Sequence, residues 1–197
     1  MNTTTTTWPG PSVIQPGIER PTAMRLARTE YQRVTDAVDA LQFEDWAGPT
    51  DCTEWDVRRL VAHIAGQANL FSTPFEAARQ MHAAKARQQP GHAPVDGLTA
   101  LQVEERQHLG PDELRTELRR VGPRGARGGR RIPGFLRRRR LPGAEVVNGV
   151  PEAWSLGYVT DVILTRDPWM HRLDLARATG QDLVLTADHD GVIVADR

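Results

Sequence analysis

The sequence predicts an all-α protein, an up-down four-helix bundle with a short extended segment near its C-terminus. Three observations carry this. Apolar residues recur three and four apart over long stretches, the period of an amphipathic helix. Strand patterning is scarce, and Leu183, Val184 and Leu185 form one short extended piece. A chain of 197 residues can bury the core of one compact domain without covalent staples.

Residues 1–20 hold a threonine run and three prolines. They read as a disordered or loosely docked tail, with Trp8 and Ile14 as candidate anchors. The bundle is expected over residues 21–180. Its first helix runs from about Pro21, a residue suited to a first turn, to Leu41. Met24, Ala27, Tyr31, Val34, Val38 and Leu41 form its stripe. The second begins near Thr53, where Thr53 and Asp56 match a capping box. Val57, Leu60, Val61, Ile64, Ala68 and Phe71 face the core, with His63 beside them. Pro74 is a kink or break before an end near Phe75 or Ala86, and a loop is expected over residues 88–97. The third helix covers Leu98 to Val121, interrupted at Gly110 and Pro111.

An Arg-rich loop is expected over residues 119–149, with a short helix around Phe135 to Arg140. The fourth helix should run from Pro151 to Thr179, stopped by Gly180. Leu156, Val159, Ile163, Met170 and Leu173 form its apolar face, and Pro168 sets a kink beside Asp167. Residues 181–197 break off mid-pattern, which reads as the start of a segment cut from a longer protein.

Net charge is zero but unevenly spread. Residues 119–140 carry ten arginines and no acid, which leaves 15 basic and 25 acidic residues elsewhere. The single cysteine, Cys52, excludes an internal disulfide and suits a reducing cytosol. No leader-like segment precedes the first helix. No run approaches the roughly 20 apolar residues of a membrane span. A cytoplasmic protein without a membrane partner is expected. Arginine far outnumbers lysine, a bias that suggests a GC-rich genome.

The stretch RDPWMHRLDLARATG, residues 166–180, carries the chemistry. Asp167, His171 and Asp174 stack on one helical face. A metal ion held by Asp167 and His171 needs a third ligand, and His63 is the best candidate. Spacing alone also fits a helix ion pair with a core-edge histidine. Asp174 reads equally as a partner orienting His171 or as a salt-bridge acceptor for Arg172 or Arg177. Cys52 reads as a packed small residue, Trp55 and Trp169 as core or pocket wall. His82, His92, His108 and His189 read as surface histidines.

Two segments tip the balance. DWAGPTDCTEWDVRRLVAHIAG and TRDPWMHRLDLARATG resemble the two signatures of the mycothiol-dependent maleylpyruvate isomerase N-terminal domain family, within the DinB-like superfamily. The resemblance implies a DinB-like bundle that holds a divalent metal through His63, Asp167 and His171. The isomerase has Glu at the place of Asp167 and uses a further C-terminal domain.

Two imidazoles and one carboxylate leave open coordination positions, the pattern of catalytic zinc. Iron, nickel and manganese remain open, since the same set serves ferrous oxygenases. With mycothiol as the implied thiol cosubstrate, the expected function is a thiol transferase or isomerase. There, a metal-activated thiolate attacks a small electrophile. The alternative is a non-catalytic metal-binding or regulatory bundle whose Arg-rich loop holds a partner. Nucleic acid is set aside, because no helix-turn-helix or aromatic platform accompanies the arginines. A homodimer is left open.

Overall fold

The computed structural model describes residues 12–88, 94–143, 145–147 and 149–195. Most of the expected tail and part of the expected 88–97 loop, with Trp8 and His92, lie outside the described residues. Elements in chain order begin with strand β1 (Val13–Ile14), α1 (Arg20–Asp39), α2 (Val57–Leu70), α3 (Pro74–Ala84) and α4 (Pro94–Glu104). They continue with α5 (Pro111–Gly128), α6 (Gly134–Arg137), β2 (Glu145–Val147), β3 (Val150–Trp154) and α7 (Leu156–Tyr158). After α7 come a π turn (Val159–Ile163), α8 (Leu164–Thr179), a second π turn (Ala187–Gly191) and α9 (Val192–Ala195).

The protein is mostly helical, as the periodicity predicts, and α1, α2, α5 and α8 form the bundle. Helices α5 and α8 each pack on both α1 and α2. The predicted stripe of α1 is buried from Met24 to Leu41, and that of α2 from Val57 to Ala68. Tyr31 donates a hydrogen bond to Gln67 Oε1 across the bundle at 2.9 Å.

Helix starts differ in detail from the sequence reading. Asp56, not Thr53, caps α2, and its carboxylate accepts from Arg59 N at 2.8 Å. A carboxylate in the cap position satisfies a free N–H and complements the helix dipole. Pro74 breaks the helix outright: α2 stops at Leu70, and α3 restarts with Thr73 as its cap.

The Arg-rich loop expected over residues 119–149 is helix as far as Gly128. Its glycines are contact points rather than breakers. A Cβ on Gly125 would lie 2.5 Å from Ala68 O, and one on Gly128 would lie 1.7 Å from Phe71 O. Glycines three apart share one helical face, and this face meets the backbone of α2. Close approach offsets the roughly 1 kcal/mol that each interior glycine costs.

Residues 150–154 form a strand, not the start of the last helix, and Pro151 is no first-turn residue. Strand β3 pairs antiparallel with β2 and parallel with β1. Val13 and Ile14 are thus held on β3, with Ser155 N donating to Ile14 O at 3.1 Å. The last helix instead starts after Ser155, whose hydroxyl accepts from Tyr158 N at 3.0 Å.

Its irregularity lies at Val159–Ile163, upstream of Pro168. A π turn adds a residue to the helical repeat and rotates everything beyond it. The expected apolar face is accordingly displaced: Met170 is exposed, while Leu164, Pro168, His171, Arg172 and Leu175 are buried. Gly180 ends the helix at φ +69°, a left-handed conformation that favours glycine. Residues 181–186 form no regular element, and the chain then turns through α9.

Candidate metal centre

Each candidate ligand is placed by a local rule. His63 lies in the middle turns of α2, next to the buried stripe. Asp167 and His171 are one turn apart on α8, downstream of the π turn. The two helices pack against each other, so the three side chains converge. His63 Nε2 lies 3.3 Å from Asp167 Oδ2, and His171 Nε2 lies 3.6 Å from Asp167 Oδ1. The two imidazoles meet edge to face, with ring centroids 5.0 Å apart.

These separations fit one ion. Donors held at about 2.0–2.1 Å in tetrahedral geometry lie about 3.3 Å from one another. One donor atom from each of the three residues can be chosen so that all lie within 4.8 Å of one another. The two histidines are buried and Asp167 is half-buried. His63 Nδ1 is buried without a partner.

The charges are mutually supporting. Burial pushes the Asp167 carboxyl up, but the charge and hydrogen bond of His63 and the charge of His171 outweigh it, leaving it below its ordinary value. Burial lowers the His171 pKa, but hydrogen bonds from its ring to Asp174 and Cys52 and the charge of Asp167 raise it to about 10.

Asp174 occupies the other edge of the His171 ring, with Oδ2 3.1 Å from Nδ1. Arg177 also approaches Asp174, at 3.8 Å. Cys52 is half-buried, packs against the core, and lies with Sγ 4.0 Å from Asp174 Oδ2. Trp55 is partly buried, packs against the core and also faces both imidazoles. Its ring centroid is 5.1 Å from that of His63 and 6.1 Å from that of His171.

His189 departs from its expected place at the surface. It is buried, with Nε2 2.8 Å from Glu30 Oε2. Glu30, His189 and Asp190 also fall within metal-ligating distances, but guanidinium groups fill that cluster. Arg172 bonds both Glu30 oxygens and Asp190, and Arg33 bonds Asp190. Trp169 joins the same network, donating Nε1–H to Asp190 at 2.9 Å. Local spacing held no signal for this network, because its partners come from opposite ends of the chain.

A family model described as the mycothiol maleylpyruvate isomerase N-terminal domain matches residues 27–176. The chain belongs to this family. Two solved structures share its fold. One is a mutant of the mycothiol-dependent maleylpyruvate isomerase, with a TM-score of 0.60 at 15% identity, covering 90% of this chain and 67% of that one. The other is the mycothiol-dependent maleylpyruvate isomerase, with a TM-score of 0.56 at 16% identity, covering 80% of this chain and 61% of that one. This member of the family thus aligns with about two thirds or less of the isomerase's length. No curated protein matches the chain.

Within the family domain, the described residues outline a metal-sized cluster walled by Trp55. The sequence reading missed the Tyr31–Gln67 pair. Gln67 follows His63 by one turn of α2, and Tyr31 lies within electrostatic reach of Asp167.

Proposed function

We infer that this chain is the metal- and thiol-binding domain of a mycothiol-dependent enzyme, an isomerase of the maleylpyruvate isomerase kind or an S-transferase. One observation carries the reading: His63, Asp167 and His171 turn their donor atoms onto one point between α2 and α8. A divalent metal, with zinc the best match to this donor set, lowers the pKa of a coordinated thiol and makes it a nucleophile at neutral pH.

The protein's own groups prepare the site. Asp174, an acceptor when ionised, would accept a hydrogen bond from Nδ1–H of a metal-bound His171 and leave the Nε2 lone pair for the ion. Asp167 supplies the negative charge that offsets the cation. Trp55 covers the imidazoles, and a flat apolar wall there suits a small electrophile next to the thiol. Two imidazoles and a carboxylate leave room for exogenous ligands, so no protein nucleophile is required.

Metal content measured by inductively coupled plasma mass spectrometry on protein purified without a histidine tag tests the reading. About one equivalent of a divalent ion is expected in the native chain by the single-site geometry. It should be lost in folded His63→Ala and His171→Ala variants. Full metal content in both variants would rule out this ligand set.

A further inference from the structure

Many of the described arginines are neutralised by carboxylates. Arg79 meets Glu76 and Glu105, Arg106 meets Glu117, and Arg119 meets Asp39. One face differs. Arg25 and Arg28 on α1, Arg130 after α5, and Arg138, Arg139 and Arg140 after α6 are all exposed. Among the described residues, no carboxylate pairs with any of these six.

The arrangement is built, not loose. Arg25, Arg28 and Arg130 line one cleft of about 570 Å³ with Met24 and Thr29, and no acidic residue lines it. Arg20, in the same wall, is used for structure. Its guanidinium donates to the carbonyls of Gly129, Arg130 and Ile132 at 2.8, 2.6 and 3.0 Å. Those bonds pin the turn that presents Arg130. Arg137 does the same for the next segment by pairing inward with the fully buried Asp161. The Arg20 bonds to the carbonyls of Arg130 and Ile132 set the wall of the cleft next to α6 in the chain, which begins at Gly134.

Two large apolar side chains share that face. Phe135 is 61% exposed and Leu136 is 38% exposed, both on α6 beside the arginine run. Fixed like charges without counter-ions raise the local potential and favour an anionic partner. That partner must also accept an aromatic ring and a leucine. A bilayer of anionic phospholipid does both: its phosphates match guanidinium forks, and its headgroup boundary takes in apolar side chains. A single-stranded nucleic acid offers the phosphates but is held by successive stacking rings, and α6 carries a single ring; a duplex gives the two apolar side chains no role.

We propose that this face docks the protein peripherally on a membrane surface rich in anionic phospholipid. No helix of the described residues is long and apolar enough to cross a membrane, and peripheral docking needs none. The proposal is independent of the metal centre.

Vesicle co-sedimentation of the full chain tests it. The vesicles are phosphatidylcholine alone or phosphatidylcholine mixed with phosphatidylglycerol, each at low and high salt. Binding is expected to the mixed vesicles at low salt and not to phosphatidylcholine. The triple variant Arg138→Ser, Arg139→Ser, Arg140→Ser should partition about a hundredfold more weakly, given the contribution of each basic residue near an anionic surface. The double variant Phe135→Ser, Leu136→Ser should also weaken partition, by at least about tenfold. All five substituted side chains are exposed, and circular dichroism confirms that each variant is folded. No binding of the native chain to mixed vesicles overturns the proposal. Native-like binding by the folded double variant overturns it as well. A shift of an oligonucleotide that ignores the Phe135 and Leu136 substitutions, with no vesicle binding, would assign the face to nucleic acid instead.

Discussion

Asp174 Oδ2 lies 3.1 Å from His171 Nδ1, on the edge of the ring that faces away from Asp167. One imidazole is thus held by a carboxylate on each nitrogen, in a place where only one nitrogen can keep its proton once a metal binds. Removing the outer carboxylate should loosen the ring without unfolding the bundle. Asp174→Ala is expected to weaken metal binding by roughly 10–100-fold, read by competition with a chromophoric chelator. An unchanged affinity would make Asp174 a partner of Arg177 alone.

Proton and metal compete at His171. The metal-free ring, with its pKa raised to about 10, is charged across the neutral range. A ligating imidazole must be neutral. Metal affinity should therefore rise with pH, by about tenfold per unit for one displaced proton, and level off above about pH 10. Calorimetry in buffers of different ionisation enthalpy reads the proton release directly. A flat affinity through the neutral range would show that His171 does not give up a proton to the metal.

The glycines of α5 predict an inverted substitution effect. Gly→Ala in an exposed helix stabilises by up to about 1 kcal/mol. At Gly125 the new methyl group would meet Ala68 O at 2.5 Å. Gly125→Ala should instead destabilise by about 1–3 kcal/mol, as overpacking does. A lower urea midpoint with an unchanged slope is the expected signature.

The network around Glu30 ties α1, α8 and the C-terminal turn together. Glu30 is fully buried and accepts from Arg172 at 2.6 Å, with His189 2.8 Å away. Losing one partner of a buried pair strands the other. Glu30→Ala is expected to cost roughly 3–5 kcal/mol, measured by urea unfolding. A loss below about 1 kcal/mol would place the pair among weak surface bridges.

Asp190 adds a pH dependence. Burial works to raise its carboxyl pKa, but the Thr186 N–H, the Trp169 indole N–H and the guanidinium groups of Arg33 and Arg172 hold it well below the usual range. Its folded value lies under the unfolded value of about 4. Its contribution is therefore complete above about pH 4 and is lost as pH falls through the folded value. Asp190→Asn should be less stable at neutral pH and show a shallower acid decline. An acid decline as steep as that of the native chain would assign it to other carboxylates, with Glu76 and Glu105 beside Arg79 next in line.

The sequence by itself determined the helical class, the stripes of α1 and α2, and the candidate ligands. Each of these is written in short-range order. An amphipathic stripe repeats within a few residues, and Asp167 and His171 lie one turn apart. Tertiary structure decided the rest. The glycines at 122, 125 and 128 look like a loop until the backbone of α2 is laid against them. The face of α8 cannot be counted from apolar residues, because a π turn shifts its phase and its buried side includes His171 and Arg172. A buried charge is legible only through its partner, and the partner of Arg172 is Glu30, 142 residues away. Periodicity records which residues avoid water. Pairing across the fold decides which charged residues can leave it too.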